Sequence, residues 1–291
     1  MNIRPDDFVL EIGSGHNPKT RSDILCDKFI NDDLQRGGSI VADRPLVEAD
    51  GQYLPFADGS FDYVICSHIL EHVENPELLI RELTRVASGG YIETPSEIAE
   101  RLYGWPYHNW MVNLVNNRLV IQKKAEKSQF GQLFHALAAH DKNFARFHVT
   151  HHKLFLVQYE WSGKVDYEIL PPETSMLDLE SRTSISVMLD QVDHSSLWNK
   201  WAPILKRRVP RNLVSKVKSV FVNRRRNSAK TLKDILVCPL CKGEIDWKSD
   251  RVWCDACELD YPVAQGIPRM VPPKSRMKLG DNVGNPSYSA P

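Results

Sequence analysis

The chain has 291 residues, of which 42% are hydrophobic and 25% are charged. This composition is that of a globular protein and excludes collagen-like, coiled-coil and wholly disordered chains. The formal net charge is zero, but residues 1–100 hold 8 basic and 19 acidic side chains, whereas the remaining 191 residues hold 29 and 18. Neutrality therefore does not exclude a polyanionic partner, because it is the sum of an acidic half and a basic half.

The length fits one enzyme domain with a small additional module. No segment approaches the ~18 consecutive apolar residues that a membrane span requires, and the first residues lack the apolar core of a secretory signal. We therefore expect a cytoplasmic protein with no membrane span.

The first hundred residues predict a parallel α/β sheet. Hydrophobic runs indicate strands at residues 8–12, 23–26, 61–66 and 91–94. A helix is predicted at residues 75–86, where Asn75 is a suitable N-cap, Pro76 suits the first helical position, and Gly89 with Gly90 is expected to end the helix. Strands that alternate with helical connections form parallel sheets.

The turn after the first predicted strand has the features of a ligand-binding turn. Gly13 and Gly15 let a ligand approach the backbone, and Glu11 ends the preceding strand. Asp27 follows Glu11 by 16 residues, which suits an acid that accepts hydrogen bonds from a ribose. Asp50 is a further acceptor, suited to an exocyclic adenine amine. The glycines and one acid alone leave both a cofactor site and an ordinary tight turn open.

Longer motifs are more specific than the turn alone. They are Glu-Ile-Gly-Ser-Gly at 11–15, Asp-Gly-x-x-Leu-Pro-Phe-x-Asp-Gly-Ser-Phe-Asp-Tyr-Val at 50–64, Leu-Glu-His-Val-Glu-Asn-Pro at 70–76, and Glu-Leu-x-Arg-Val followed by Gly-Gly-Tyr-Ile within 82–92. Together they resemble the class I S-adenosylmethionine-dependent methyltransferases over residues 7–97. The resemblance implies a Rossmann-like sheet and these cofactor-binding residues: Glu11, Gly13, Gly15, Asp27, Asp50, Gly51, Ser67 and His68.

In that assignment the glycine turn holds the methionine and ribose end of the cofactor. Asp27 binds the ribose and Asp50 binds the adenine, while Ser67 and His68 form the floor of the site. An acid-lined pocket suits a sulfonium cofactor, and the absence of a third glycine disfavours a nicotinamide dinucleotide. Residues 17–22 are too few for the full helix that usually follows the turn in this family. We expect that helix to be shortened or missing.

His68 and His72 flank the predicted site. Histidine is the side chain best matched to proton transfer near neutral pH, so each is a candidate catalytic base or substrate contact. The alternative for each is an orienting or helix-packing role. The Asn-Pro-Pro-Tyr signature of amino-methylating nucleic-acid enzymes is absent, which disfavours adenine N6 or amide methylation.

The middle of the chain is rich in aromatic residues. Residues 153–161 and 164–170, separated by a Ser-Gly pair, predict a β-hairpin that completes the sheet. Residues 103–110 follow the last predicted parallel strand, so they form either an acceptor lid or an aromatic core patch.

A basic stretch, residues 206–230, holds ten Lys and Arg residues and no acidic residue. Such a stretch is an electrostatic footprint for phosphates, and RNA is one polyanion it would bind. A solvated linker and a contact with the acidic N-terminal half remain open as alternatives.

Four cysteines indicate a metal site. Cys238 and Cys241 precede Cys254 and Cys257 by twelve residues, a spacing at which two knuckles place four thiolates in a tetrahedron around a structural zinc ion. Residues 232–273 resemble the small zinc-ribbon proteins that activate methyltransferases acting on tRNA, rRNA and translation factors. The resemblance implies an activator-like module, which we expect to dock on the methyltransferase domain of the same chain.

We therefore expect a methyltransferase domain at residues 1–170, a linker or helical basic segment at 171–231, a zinc ribbon at 232–273 and a flexible tail at 274–291. The expected activity is methyl transfer from S-adenosylmethionine to an unidentified acceptor, with a small-molecule or glycan hydroxyl slightly favoured. An RNA or translation-factor methyltransferase is one alternative. A non-catalytic zinc-ribbon adaptor on a methyltransferase scaffold is another.

Overall fold

The structure of the protein is a computed structural model that describes residues 1–31, 38–125, 130–171 and 230–273. The predicted basic stretch, apart from Lys230, and the predicted tail at 274–291 lie outside the described residues. None of the described helices is long and apolar enough to cross a membrane.

The main sheet has six strands in the order β3-β2-β1-β4-β5-β8. Its strands are β1 (Val9–Ile12), β2 (Ile24–Asp27), β3 (Leu46–Glu48), β4 (Tyr63–Ser67), β5 (Gly89–Pro95) and β8 (Leu156–Ser162). The first five are parallel, and β8 pairs antiparallel with β5. Almost every residue of β1, β2 and β4 is buried, as the near-continuous apolar runs of parallel strands predict. The mixed α/β, Rossmann-like fold expected from the sequence is confirmed.

Helix α1 (Pro76–Val86) begins as predicted, with the Asn75 side chain accepting the N–H groups of Glu77 and Leu78. It does not end at Gly89 and Gly90, as predicted from the sequence. The helix ends at Val86, and both glycines belong to β5. A Cβ at Gly90 would lie 2.5 Å from the carbonyl oxygen of Val64, so the glycine is needed for close strand packing.

No helix lies between β1 and β2, as the short 17–22 segment predicts. The remaining helices of the N-terminal part are short: α2 (Glu97–Tyr103), α3 (Gly131–His140), α4 (Lys142–Thr150) and α5 (His152–Phe155).

The predicted hairpin at 153–170 is wrong in its pairing. Strand β8 completes the main sheet, but β9 (Tyr167–Leu170) pairs parallel with β7 (Arg118–Lys123) instead of with β8. Strand β7 also pairs antiparallel with β6 (Trp110–Val115), so these three strands form a separate sheet. The chain does turn at the predicted Ser-Gly pair, where Gly163 has a φ of 73°. The strand patterns predicted extended segments but not their partners.

The C-terminal segment contains α6 (Leu232–Ile235) and a four-stranded antiparallel sheet. The strands are β10 (Asp246–Trp247), β11 (Arg251–Cys254), β12 (Leu259–Ala264) and β13 (Ile267–Pro268). Val252, Cys254 and Tyr261 are buried in this sheet and belong to the same apolar cluster as Phe56 and Leu54 of the N-terminal part.

Backbone hydrogen bonds join the C-terminal segment to the N-terminal part at two places. The Ala57 N–H donates to the Ile235 carbonyl at 2.8 Å, and the Val237 N–H donates to the Pro55 carbonyl at 3.0 Å. The Met270 N–H donates to the Glu48 carbonyl at 2.7 Å, beside the edge strand β3. Covering an edge strand satisfies its free backbone groups and prevents unwanted pairing.

An ion pair reinforces this contact. The Lys242 ammonium lies 2.6 Å from Glu82 Oε2 and donates to the Leu54 carbonyl at 3.0 Å. Arg85 holds the other side of the same carboxylate. Burial raises the pKa of Glu82, but the hydrogen bonds from Arg85 and Lys242 outweigh burial and lower that pKa. The carboxylate is therefore held ionised between two cations.

Candidate functional site

The glycine turn joins the carboxyl ends of β1 and β2. Gly13 has a φ of 72° and donates its N–H to the Cys26 carbonyl at 2.8 Å. A Cβ at Gly13 would lie 2.3 Å from Ile69 Cδ1, so a side chain there would collide with the residues that follow β4. The Gly15 N–H donates to Asp27 Oδ2 at 3.1 Å. The turn therefore closes around the Asp27 carboxylate, as expected for a ligand-binding turn of this fold.

Glu11 is 3% exposed and holds the segment that replaces the missing helix. Its Oε2 accepts the Lys19 N–H at 2.8 Å and the hydroxyl of Ser22. Burial raises the pKa of Glu11, and these hydrogen bonds only partly offset that effect. Glu11 thus fixes the path of residues 19–22 in addition to lying at the predicted cofactor turn.

The two other predicted acids already have partners. Asp27 accepts the N–H groups of Gly15 and Phe29, one on each carboxylate oxygen. Asp50, 2% exposed, accepts the Gln52 N–H at 2.9 Å and lies 2.7 Å from the Lys28 ammonium. A Cβ at Gly51, next to Asp50, would lie 2.9 Å from Leu79 Cδ1, so the leucine would have to shift.

Two buried hydroxyl groups at this edge of the sheet have no hydrogen-bond partner within the described residues. They belong to Ser14, in the glycine turn, and to Ser67, at the end of β4. Buried hydroxyls are normally paired, and an unpaired one costs about 1 to 3 kcal/mol. A polar ligand beside both strand ends would provide the missing partners, so the residues present fit the cofactor that the resemblance to methyltransferases implies.

His68 follows β4 with a left-handed φ of 56°. Its side chain is half exposed, with Nδ1 3.3 Å from Glu71 Oε1 and Nε2 3.8 Å from Glu93 Oε1. Burial lowers the pKa of His68, but the two carboxylates outweigh it and raise the pKa above the ordinary value. The strained backbone places an imidazole at the mouth of the site and keeps it between two acids.

His72 lies deeper than His68. Its ring is stacked on Tyr107, with centroids 5.6 Å apart, and meets the ring of His108 edge-on at 4.6 Å. Burial and the neighbouring histidine charges lower the pKa of His72 to about 4. Burial raises the pKa of Glu71, but the hydrogen bond from His68 and the histidine charges bring it to about 2. The hydrogen bond from His68 is the largest of the effects that lower the pKa of Glu71.

The residues that sequence reasoning did not assign are Ser14, Glu71 and His108. Glu71 stands within the quoted Leu-Glu-His motif, and its burial next to two histidines is the signal that a sequence cannot display. His108 lies in the aromatic segment 103–110. That segment forms a core patch, where Trp105 stacks on buried Tyr103, and its His108 meets the ring of His72.

The four cysteines come together in the C-terminal segment. Sγ atoms of Cys238 and Cys257 lie 3.8 Å apart, and those of Cys241 and Cys254 lie 3.6 Å apart. Zinc bound to four thiolates at about 2.3 Å places the sulfurs roughly 3.8 Å apart, so the donor set fits a zinc ion. The Gly243 N–H lies 3.4 Å from Cys241 Sγ, and this hydrogen bond lowers the pKa of Cys241 to about 7.

Residues 26–93 match the family model described as a methyltransferase domain. The matched residues include Asp27, Asp50, Ser67 and His68. The match confirms the prediction of a methyltransferase domain over these residues and supports S-adenosylmethionine as the methyl donor.

A 61-residue segment, 20% of this chain, is 39% identical to a UPF0434 protein from Cupriavidus necator and covers 90% of that protein. The chain therefore belongs to the UPF0434 family through this segment. A tetraacyldisaccharide 4'-kinase from Nitrosomonas europaea is 52% identical over 52 residues, which are 17% of this chain, and the chain spans 13% of the length of that kinase.

Among solved structures, a SAM-dependent methyltransferase from Thermotoga maritima is similar to 34% of this chain. The sequence identity is 20%, the similarity covers 48% of that chain, and the TM-score is 0.26.

Proposed function

We propose that the protein transfers the methyl group of S-adenosylmethionine to a hydroxyl of a small molecule or glycan. The observation that carries the proposal is the pair of unpaired buried hydroxyls, Ser14 and Ser67, beside the acid-closed glycine turn. The methyltransferase family match over residues 26–93 supports the same chemistry.

In this proposal the chain's residues hold the cofactor at the carboxyl ends of β1, β2 and β4. Asp27 accepts the ribose hydroxyls, and Asp50 accepts the adenine amine after its contact with Lys28 opens. Ser14 and Ser67 supply hydrogen bonds from the turn and the floor. When bound, the cofactor supplies an electrophilic methyl group, and placing the acceptor within about 3 to 3.5 Å of it provides much of the rate.

His68 is the proposed base for the acceptor hydroxyl. It is the exposed histidine at the mouth of the site, and Glu71 with Glu93 orients its ring. His72 is unsuited to this role, because burial lowers its pKa to about 4 and its ring is packed between Tyr107 and His108. We therefore assign His72 a packing or ligand role; packing is the alternative that the sequence left open for it.

We further propose that residues 232–273 are a zinc ribbon that stabilises the methyltransferase domain in the way of an activator. The sulfur separations support zinc binding. The contacts of Ile235 and Met270 with the N-terminal part support docking within the chain.

Incubation of the full chain with methyl-labelled cofactor and fractionated cell extract tests the activity. We expect label in a nuclease-resistant small-molecule or glycan fraction and no label with the Asp27→Ala variant. Label that disappears after nuclease treatment would contradict this acceptor and identify RNA as the acceptor. Absence of label in every fraction, together with no binding of the cofactor, would favour the non-catalytic adaptor.

A further inference from the structure

Three side chains of the types that can bind metal ions lie close together beside His68. Ligand atoms of Glu71, His72 and His108 all lie within 4.8 Å of one another. Glu71 and His72 follow β4, whereas His108 comes from the loop between α2 and β6. The Asn109 N–H donates to the Glu71 carbonyl at 2.7 Å and fixes that loop in place. The cluster therefore adjoins the mouth of the proposed methyltransferase site and is built on two anchored segments.

Each histidine of this cluster has one ring nitrogen occupied by a neighbour. His108 Nδ1 lies 2.6 Å from Oε2 of the buried Glu100, whose other oxygen contacts the Lys124 ammonium. Because His108 Nδ1 lies against Glu100, we infer that Nε2 is the ring nitrogen of His108 that would bind an ion. His72 hydrogen-bonds with the backbone of Tyr107. Metal-binding histidines are usually oriented in this way, by a carboxylate or backbone group on the other ring nitrogen.

The Glu71 carboxylate is also oriented by hydrogen bonds from neighbouring side chains, as carboxylate ligands of metal ions commonly are. Its Oε2 accepts the Thr94 hydroxyl at 2.9 Å, while Oε1 is 3.3 Å from His68 Nδ1 and 4.0 Å from His72 Nε2. The 4.0 Å separation is too long for a hydrogen bond. An ion with bonds of about 2.0 to 2.2 Å would draw the ligand atoms together by about 1 Å. The His72 side chain is 28% exposed, so its neighbours do not enclose it completely.

We propose that Glu71, His72 and His108 bind a divalent first-row transition-metal ion. Two imidazoles and one carboxylate are a ligand set that suits zinc, iron, cobalt or nickel. Three protein ligands leave coordination positions open, unlike the four cysteine sulfurs, which fill a tetrahedral ion. The proposed site and the four-cysteine site therefore differ in their ligand atoms and lie in different segments of the chain.

The open positions would take an oxygen of the acceptor. A hydroxyl bound to a metal ion loses its proton more readily, and His68, which shares Glu71 with the cluster, is the neighbouring group that would receive it. This role rests on the proposed methyltransferase function. The binding of the metal ion does not, because it depends only on the three ligands.

Cobalt loading of the full chain, without methyl donor, tests the proposal. Thiolate ligands give cobalt intense charge-transfer absorption, which imidazole and carboxylate ligands do not. We expect two equivalents of Co²⁺ per chain by elemental mass spectrometry, one with and one without charge-transfer absorption. A single equivalent that carries the charge-transfer absorption would overturn the proposal.

Variants assign the second equivalent. Glu71→Gln and His108→Asn are expected to remove one equivalent and leave the charge-transfer absorption unchanged. Glu100→Gln, which changes the carboxylate that contacts both His108 Nδ1 and Lys124, is expected to weaken binding about 10- to 100-fold and provides a second test if a ligand variant does not fold. His148→Ala, a control histidine stacked on Phe155, should retain both equivalents. Unchanged stoichiometry in folded Glu71→Gln and His108→Asn would contradict the assignment.

Discussion

Glu11 combines a structural and a proposed binding role in one buried carboxylate. It fixes the turn after β1 through Lys19 and Ser22, and it lies where the cofactor is proposed to bind. Burial of a charge destabilises the protein unless partners compensate, and the raised pKa shows that Lys19 and Ser22 compensate only in part. A positively charged ligand beside this side chain would complete the compensation.

The Glu11→Gln variant tests whether the buried charge of Glu11 lowers the stability of the protein while it supports binding of the cofactor. A carboxyl with a raised pKa in the folded state contributes its full stability below the unfolded pKa near 4.5 and loses it as pH rises through the folded pKa. Glutamine keeps an acceptor for Lys19 and Ser22 and carries no charge. We expect urea unfolding at pH 4 and pH 7 to show a variant whose stability relative to the wild type increases with pH. We also expect weaker binding of the cofactor.

A variant that loses stability relative to the wild type between pH 4 and pH 7 would contradict the account of Glu11.

At the residue scale, the sequence predicted the positions whose chemistry depends on near neighbours. Gly13 needs a positive φ, and Asp27 lies at the end of the adjacent strand, so both follow from local patterns. His108 could not be predicted in this way. Its contact with Glu71 spans 37 positions and depends on the backbone of Asn109, which no sequence periodicity encodes.

At the scale of elements, the parallel strands and α1 were predictable because their patterns are strong. Asn75 and Pro76 mark the helix start, and the apolar runs mark the strands. The helix end was mispredicted, because Gly89 and Gly90 serve strand packing and not a C-cap. The pairing of β9 with β7 was mispredicted because a strand pattern shows an extended segment and not the edge that it joins.

The contact between α1 and the C-terminal segment depends on Lys242. Its substitution, Lys242→Ala, leaves Glu82 with the Arg85 guanidinium and the Leu54 N–H and removes a donor to the Leu54 carbonyl. We expect the free energy of unfolding in urea to fall by about 1 to 3 kcal/mol. Arg251→Ala, which breaks an exposed ion pair with Asp250, is the matched control and should leave stability nearly unchanged. Equal effects of the two substitutions would contradict a specific docking contact.

On the scale of the whole molecule, ion pairs join the N-terminal half to the C-terminal segment. Acidic Glu82 and Glu48 of the N-terminal half pair with basic Lys242 and Arg269 of the C-terminal segment. The sequence left open a contact of the basic stretch with the acidic N-terminal half. That contact stays a prediction, because residues 206–229 lie outside the described residues.

Metal removal should loosen this contact. Small modules with few apolar residues depend on their metal ion for folding, so chelation is expected to unfold residues 232–273 and release their hydrogen bonds. Hydrogen exchange should therefore accelerate at Ala57 and Met270, whose N–H groups bond across the contact. The amides of β4 serve as an internal control and should remain protected. Unchanged exchange at Ala57 and Met270 after complete chelation would contradict metal-dependent docking.

Calorimetric titration of S-adenosylmethionine into the full chain tests the central claim most directly. The control variant is Asp62→Asn, because Asp62 accepts the Phe8 N–H at the opposite end of the sheet. We predict binding by the wild type and by Asp62→Asn, and affinity about 10- to 100-fold lower for a folded Asp27→Ala variant, which lacks the proposed ribose acceptor. No binding by the wild type, or equal affinity for wild type and Asp27→Ala, would contradict the proposed methyltransferase site.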